Sequence, residues 1–264
     1  MANSESQSLP DYKSPPVIEV VCGISFDTIN EFKGPHLGLF WNKVRNNFPV
    51  CEHAQRLGTK DLKIDFKDFM PRMWFISEDG NTLIQLQNDK FYFNWRKQQK
   101  ELNYPRYDKI IKYFKDNLDN LQNFLVEENL GIIKPIECEL TYINHIPKGD
   151  GWESLDDINK VFRDFIWSSG ERFLPTPISI GGQALFNLPE DRGRLNVTLR
   201  HGERKIDKHP MLILQNTATG LGADKSIDAI WGWFEIAHEW IVRGFTDLTG
   251  AEIQKNIWQR IDVE

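Results

Sequence analysis

Two stretches of this chain, Tyr107–Leu125 and Ile227–Phe245, each align apolar residues along one helical face. No other feature constrains the fold as much. In the first, Tyr107, Ile110, Ile111, Phe114, Leu118, Leu121 and Leu125 recur at helical spacing after Pro105, and the run ends at Gly131. In the second, Ile227, Ile230, Trp231, Phe234, Ile241 and Phe245 form the stripe. An apolar helix face must be covered, and what precedes each helix is a set of strand-like segments that could cover it.

Those segments follow one order twice. Val17–Phe26 alternates cleanly, with Ile18, Val20, Cys22, Ile24 and Phe26 on one face. Gly34-Pro35 opens a short helix with Leu37, Phe40, Trp41, Val44 and Phe48 in a stripe, stopped by Pro49. Arg72–Ser77, Thr82–Gln87 and Phe91–Arg96 then read as strands punctuated by Asp79-Gly80 and Asn88-Asp89, and Leu62–Phe69 alternates as a further strand. In the second half, Ile136–Asn144 alternates. Ser154 and Asp157 resemble a capping box for a helix using Leu155, Ile158, Val161, Phe162, Phe165 and Ile166. Ile178–Asn187, Arg194–Arg200 and Met211–Asn216 follow as strands.

The expected fold is therefore α+β. Two pseudo-repeated β-α-β(3-4)-α halves form a curved antiparallel sheet covered by the two long helices, in the manner of TATA-box-binding-protein or helix-grip folds. Residues 1–14 are expected to be a flexible tail, 15–130 the N-terminal half and 131–264 the C-terminal half, packed as one unit. The repetition is of element order, with no residue-by-residue repeat.

The chain has 264 residues, 32 Lys+Arg and 38 Asp+Glu, for a formal charge of −6, so no global field draws it to nucleic acid or anionic lipid. Cys22, Cys51 and Cys138 are scattered, with no CxxC pair, which argues against a zinc or thioredoxin-type motif. No uncharged apolar run approaches the roughly 18 residues needed to span a bilayer. Met1–Ser14 lacks the apolar core of a signal peptide. The expectation is a cytoplasmic protein with no membrane contact.

Four ordered motifs carry a family resemblance. They are Pro15-Pro16-Val17-Ile18-Glu19-Val20; Gln85 to Arg96 followed by Tyr104-Pro105-Arg106-Tyr107; Leu140-Thr141-Tyr142-Ile143-Asn144-His145-Ile146; and Ala237-His238-Glu239-Trp240-Ile241 with Phe245-Thr246-Asp247-Leu248-Thr249. Together they resemble a sporadically distributed prokaryotic family of about this length, with no assigned reaction. The chain departs from it at Thr141, where a basic residue is common. The family's patchy distribution implies an accessory role of the anti-phage or toxin-linked kind, by association alone.

No catalytic constellation stands out. Gly181-Gly182 and Gly220-Leu221-Gly222 match no phosphate-loop pattern, and no GxSxG elbow occurs. Glu235 and His238 make one ExxH pair on the last helix, but a di-iron bundle needs a second, so His238 reads as a half-buried histidine and no metal or other cofactor is expected. Glu137 and Glu139 fall on one side of a strand. They could chelate Mg²⁺ as in a metal-dependent phosphodiesterase, or be answered by Arg194 and Arg200 from a neighbouring strand. The basic group Arg192, Arg194, Arg200, Arg204, Lys205 and Lys208 reads as solvated, with Arg204 and Lys205 on a hairpin tip.

The richest surface is aromatic and amide-bearing. Alternation on Lys90–Arg96 sets Phe91, Phe93 and Trp95 beneath a long helix, and Tyr92, Asn94 and Arg96 on the other face. Gln85 and Gln87 sit on the preceding strand, and Tyr142 and Asn144 repeat the Tyr/Asn pattern elsewhere. Amides, a guanidinium and aromatic plates recognise peptides or bases. The sequence thus points to a non-enzymatic recognition or assembly module whose partner is another protein or a second copy. A nucleotide or nucleic-acid binder using the sheet face is the alternative.

Overall fold

A computed structural model describes residues 8–57, 70–165, 171 and 173–261. The expected strand at Leu62–Phe69 and the helix residue Ile166 lie outside the described residues. The fold is mixed α+β, with a large antiparallel sheet and several helices. The strands are β1 (Asp11–Tyr12), β2 (Val17–Phe26), β3 (Val50–Ala54), β4 (Arg72–Ile76), β5 (Thr82–Leu86), β6 (Lys90–Arg96), β7 (Pro135–Pro147), β8 (Gly181–Asn187), β9 (Arg194–Glu203), β10 (Pro210–Gly220) and β11 (Arg260–Ile261). The α-helices are α1 (Gly34–Val44), α2 (Tyr107–Glu127), α3 (Ile158–Val161), α4 (Ala229–Leu248) and α5 (Ala251–Asn256).

Strands pair in the order β3-β4-β5-β6-β2-β7-β10-β9-β8, while β1 pairs β11 separately. Two tight turns fix the register of the first meander. Asp79 caps the β4–β5 turn by accepting from Asn81 N–H at 3.0 Å, and Gly80 takes φ +71, a backbone state that glycine adopts without strain. At Asn88-Asp89, Gln87 N–H donates to Lys90 O at 2.9 Å, so Gln85 stands opposite Tyr92.

The chain forms two compact units. The first comprises Glu19–Thr141 and Thr219–Phe234. Its core lies under α2: Phe91 meets Phe114 at 5.9 Å between ring centroids, Phe114 meets Phe234 at 5.2 Å, and Phe40 meets Phe124 at 5.6 Å. Leu118, Leu121 and Leu125 of the sequence-predicted stripe are buried with them. The second unit holds the segments up to Ile18, Tyr142–Ala218 and from Glu235 onward. There Phe245 packs on Tyr12 (5.6 Å) and Trp258 (4.9 Å), and Tyr12 OH shares a 2.8 Å hydrogen bond with Thr246 Oγ1. The buried Gln254 Nε2 donates to Thr246 O (2.7 Å) and Thr249 O (3.0 Å), satisfying carbonyls that the end of α4 would otherwise leave open.

The third-quarter helix is a correction. The capping box forms, with Asp157 Oδ2 accepting from Ser154 N–H at 3.2 Å, but only a 3₁₀ turn at Leu155–Asp157 and the four residues of α3 follow. Phe162 is extended (φ −125, ψ 121) and bridges Thr249, while Gly250 N–H donates to Val161 O and Arg163 N–H to Leu248 O. Those tertiary bonds take the groups a longer helix would have used. Gly250 permits the approach, since a Cβ there would stand 2.2 Å from Lys160 O.

Candidate functional site

The alternation of β6 decides which side chains can do chemistry. Phe91, Phe93 and Trp95 are buried on the α2 side, leaving Tyr92, Asn94 and Arg96 on the other face of the first unit. Antiparallel register then brings polar groups from four strands into one chain. Arg72 Nη1 and Trp74 Nε1 both donate to Gln85 Oε1 at 3.1 Å. Gln85 Nε2 donates to Asn94 Oδ1 at 2.7 Å, and Asn94 Nδ2 to Glu19 Oε1 at 2.7 Å. Arg72 also lies over the Trp74 ring, 5.5 Å from its centroid. Burial pushes the Glu19 carboxyl above its usual range, opposed by the Asn94 amide and the Arg96 charge.

Gln87 is 1% exposed, donates to Asp89 Oδ1 and accepts from Leu57 N–H at 2.8 Å. Arg96 Nη2 reaches Gly80 O at 3.0 Å. The amides predicted to face a ligand thus hydrogen-bond to groups of their own unit. Arg72 Nε and Arg96 Nε, by contrast, are buried with no hydrogen-bond partner among the described residues.

Next along this face, Tyr92 lies over Gly23, and its hydroxyl is 3.4 Å from Glu139 Oε2. Glu139 also accepts from Thr141 Oγ1 at 3.1 Å. Burial pushes both the Tyr92 phenol and the Glu139 carboxyl upward, and the Glu139 charge raises the phenol further. Glu137 is exposed on the same strand, with Cys138 and Leu140 buried on the opposite side as alternation requires. The expected answer from Arg194 and Arg200 is corrected: both are exposed on β9, whereas β7 is flanked by β2 and β10. Among the described residues no three His, Cys, Asp or Glu side chains gather where a metal ion could bind.

Tyr142 and Asn144 belong to the second unit. Tyr142 is stacked on His238 at 6.2 Å with 29° between the rings, and Asn144 Nδ2 donates to Leu214 O at 3.2 Å. Burial holds the His238 imidazole down to about 4. The six binding candidates therefore divide, with Gln85, Gln87, Asn94 and Arg96 in one unit and Tyr142 and Asn144 in the other.

Three surface features of the second unit follow, the first two of them missed by the sequence reading. First, β8 ends the strand order and its side chains are exposed, including Leu185 (56%) and Phe186 (42%), with Phe173, Leu174 and Ile178 exposed just before it. The signal was present in Gly181–Asn187, which contains neither charge nor proline. Second, a groove of about 520 Å³ is lined by the apolar side chains of Phe186, Leu195, Trp240 and Leu248 and by the charged Asp164, Asp247, Glu239 and Arg243. Third, the β9–β10 turn holds Ile206 94% exposed, while Arg204 and Asp207 pair through bonds of 2.8 and 2.6 Å.

No family model matches the chain. No curated protein matches it either. Among solved structures, the di-domain ARO/CYC StfQ from the steffimycin biosynthetic pathway aligns over 88% of this chain and 100% of its own, at 9% identity and a TM-score of 0.16. A likeness at that level carries no argument about fold or activity. Among the described residues no helix is long and apolar enough to cross a membrane.

Proposed function

We propose that this protein is a non-enzymatic assembly module that works in the cytoplasm and associates with a second copy of itself through the edge strand β8. Its two halves are read as β-α-β(3-4)-α repeats of the TATA-box-binding-protein or helix-grip kind, divided near residue 130. The observation that carries the reading is the exposed, uncharged edge at Gly181–Asn187, preceded by three exposed apolar side chains. An unpaired edge of this sort is a template for another strand, and proteins that keep it monomeric place charge or proline there. Antiparallel pairing of β8 with its own copy opposes no like charges, because none of its seven residues is charged. The other edge, β3, carries Glu52 and His53 and is a poorer template.

Size-exclusion chromatography with light scattering tests this. The chain is expected to dimerise with rising concentration, and Leu185→Lys to weaken the dimer at least about tenfold. A strict monomer at every concentration would overturn the reading.

One observation favours a second reading, a nucleotide or nucleic-acid binder using the sheet face of the first unit. Arg72 and Arg96 keep buried Nε groups with no partner among the described residues. Binding should then fall as salt rises and be lost in Arg96→Ala. Unchanged binding in that variant rejects it.

A further inference from the structure

We infer that the β9–β10 turn of one copy plugs the acidic groove of another, so that assembly uses a second contact beyond β8. This rests on the self-association reading above. The plug is shaped for insertion. Arg204 and Asp207 clamp the turn with two hydrogen bonds, Lys208 N–H donates to Arg204 O at 2.8 Å, and His209 N–H donates to Asp207 Oδ1 at 3.1 Å. The turn is thus ordered before it meets anything, which lowers the entropy lost on docking. It carries Ile206 at its tip, with Lys205 and Lys208 on either side, both exposed and in no ion pair among the described residues.

The groove is complementary in both respects. Its lining includes the apolar side chains of Phe186, Leu195, Trp240 and Leu248, and about 520 Å³ is ample for a branched aliphatic side chain with the stems of its neighbours. It is also lined by the exposed Asp164 and Asp247, which form no ion pair among the described residues, whereas Glu239 is already answered by Arg243 at 2.8 Å. Two carboxylates without an ion pair among the described residues, beside apolar lining, suit an apolar tip flanked by two ammonium groups.

The contact must be between copies. Plug and groove lie at opposite ends of β9. Leu195 lines the groove and Glu203 starts the turn, a separation of roughly 27 Å at the usual rise per strand residue. In β8, Gly181 pairs Arg200 near the turn and Asn187 pairs Arg194 near the groove. Antiparallel pairing of β8 with β8 about a two-fold therefore directs the turn end of each copy toward the groove end of the other.

The test uses the full chain and light scattering at low and high salt. Ile206→Asp, Lys205→Glu/Lys208→Glu and Asp164→Lys/Asp247→Lys should each weaken association at least about tenfold. Mixing the last two should restore it, because the reversed charges again oppose one another. Ile206→Leu should behave as the parent. Gly244→Trp, which fills the groove, should self-associate weakly yet bind the Ile206→Asp variant, since that mixed pair keeps one intact plug facing one intact groove. If Leu185→Lys disrupts the assembly while the turn and rim variants leave it unchanged, the plug is wrong and the β8 contact stands. If the parent chain never associates, both fall.

Discussion

The Tyr92 ring occupies the space that a side chain on Gly23 would need: a Cβ built at Gly23 would stand 2.0 Å from Tyr92 Cδ1. The two residues are register partners on adjacent strands, so the ring crosses directly over the β2 backbone and reaches Glu139 with its hydroxyl. Glycine is required here for space, not for an unusual backbone angle. Gly23→Ala is expected to displace the ring and destabilise the fold by about 1–3 kcal/mol, the usual cost of overpacking. Chemical denaturation measures it, and a midpoint equal to the parent's would contradict the arrangement.

Asn94 is the middle link of the polar chain between Gln85 and Glu19. Asn94→Ala removes both bonds and leaves the buried Gln85 amide and the half-buried Glu19 carboxylate without that partner. The expected loss is about 2–4 kcal/mol, larger than for an ordinary surface asparagine, because a charged group is among those stranded. Arg72→Ala at the other end should cost less than Asn94→Ala, since Trp74 still donates to Gln85. The reverse ranking in urea melts would show that the chain is not the unit drawn here.

His238 sets a pH dependence. Its folded value near 4 lies below the ordinary 6.5, so between those limits the unfolded chain binds the extra proton. Stability is therefore present above about pH 6.5 and is lost as pH falls toward 4, by an amount on the order of 3 kcal/mol. Glu19 and Glu139 act with the opposite sign, because their folded values are raised. His238→Gln should flatten the slope between pH 6.5 and 4. Thermal melts across that window would give parallel curves for parent and variant if His238 had no such role.

Gln254 joins α5 to the end of α4 through the two N–H groups of its amide, one of them shared, which serve three acceptors: Thr246 O, Thr249 O and Thr249 Oγ1. Gln254→Leu keeps the volume and removes the donor. It is expected to cost about 1–3 kcal/mol and to speed amide exchange in the last turn of α4 more than in α2. Uniform exchange across both helices would refute that local effect.

Much of the secondary structure could be read directly from residue order. Ile110, Phe114, Leu118 and Leu121 announce a helix because a 3.6-residue period admits no other regular structure, and that helix runs Tyr107–Glu127. Asp79-Gly80 and Asn88-Asp89 announce turns because few residue pairs tolerate that geometry, and both turns form. The side of β6 that packs under α2 followed from alternation alone. Which side chains meet across strands did not. Glu19 is seventy-five residues from Asn94, and only the register of β2 against β6 makes them partners. The helix after Ser154 stops early for the same reason, since its capping box is local while the Phe162–Thr249 bridge that ends it is not.

By itself, then, the sequence determined the periodicities, the turns and the split of each strand into an apolar and a polar face, because these depend on backbone sterics and neighbours a few residues away. The tertiary structure alone decided that the amides of Gln85 and Asn94 bond within their own unit, that β8 ends the sheet among the described residues, and that Ile206 stands out in solvent. Those outcomes depend on strand order and register, which are settled by contacts among residues far apart in the chain.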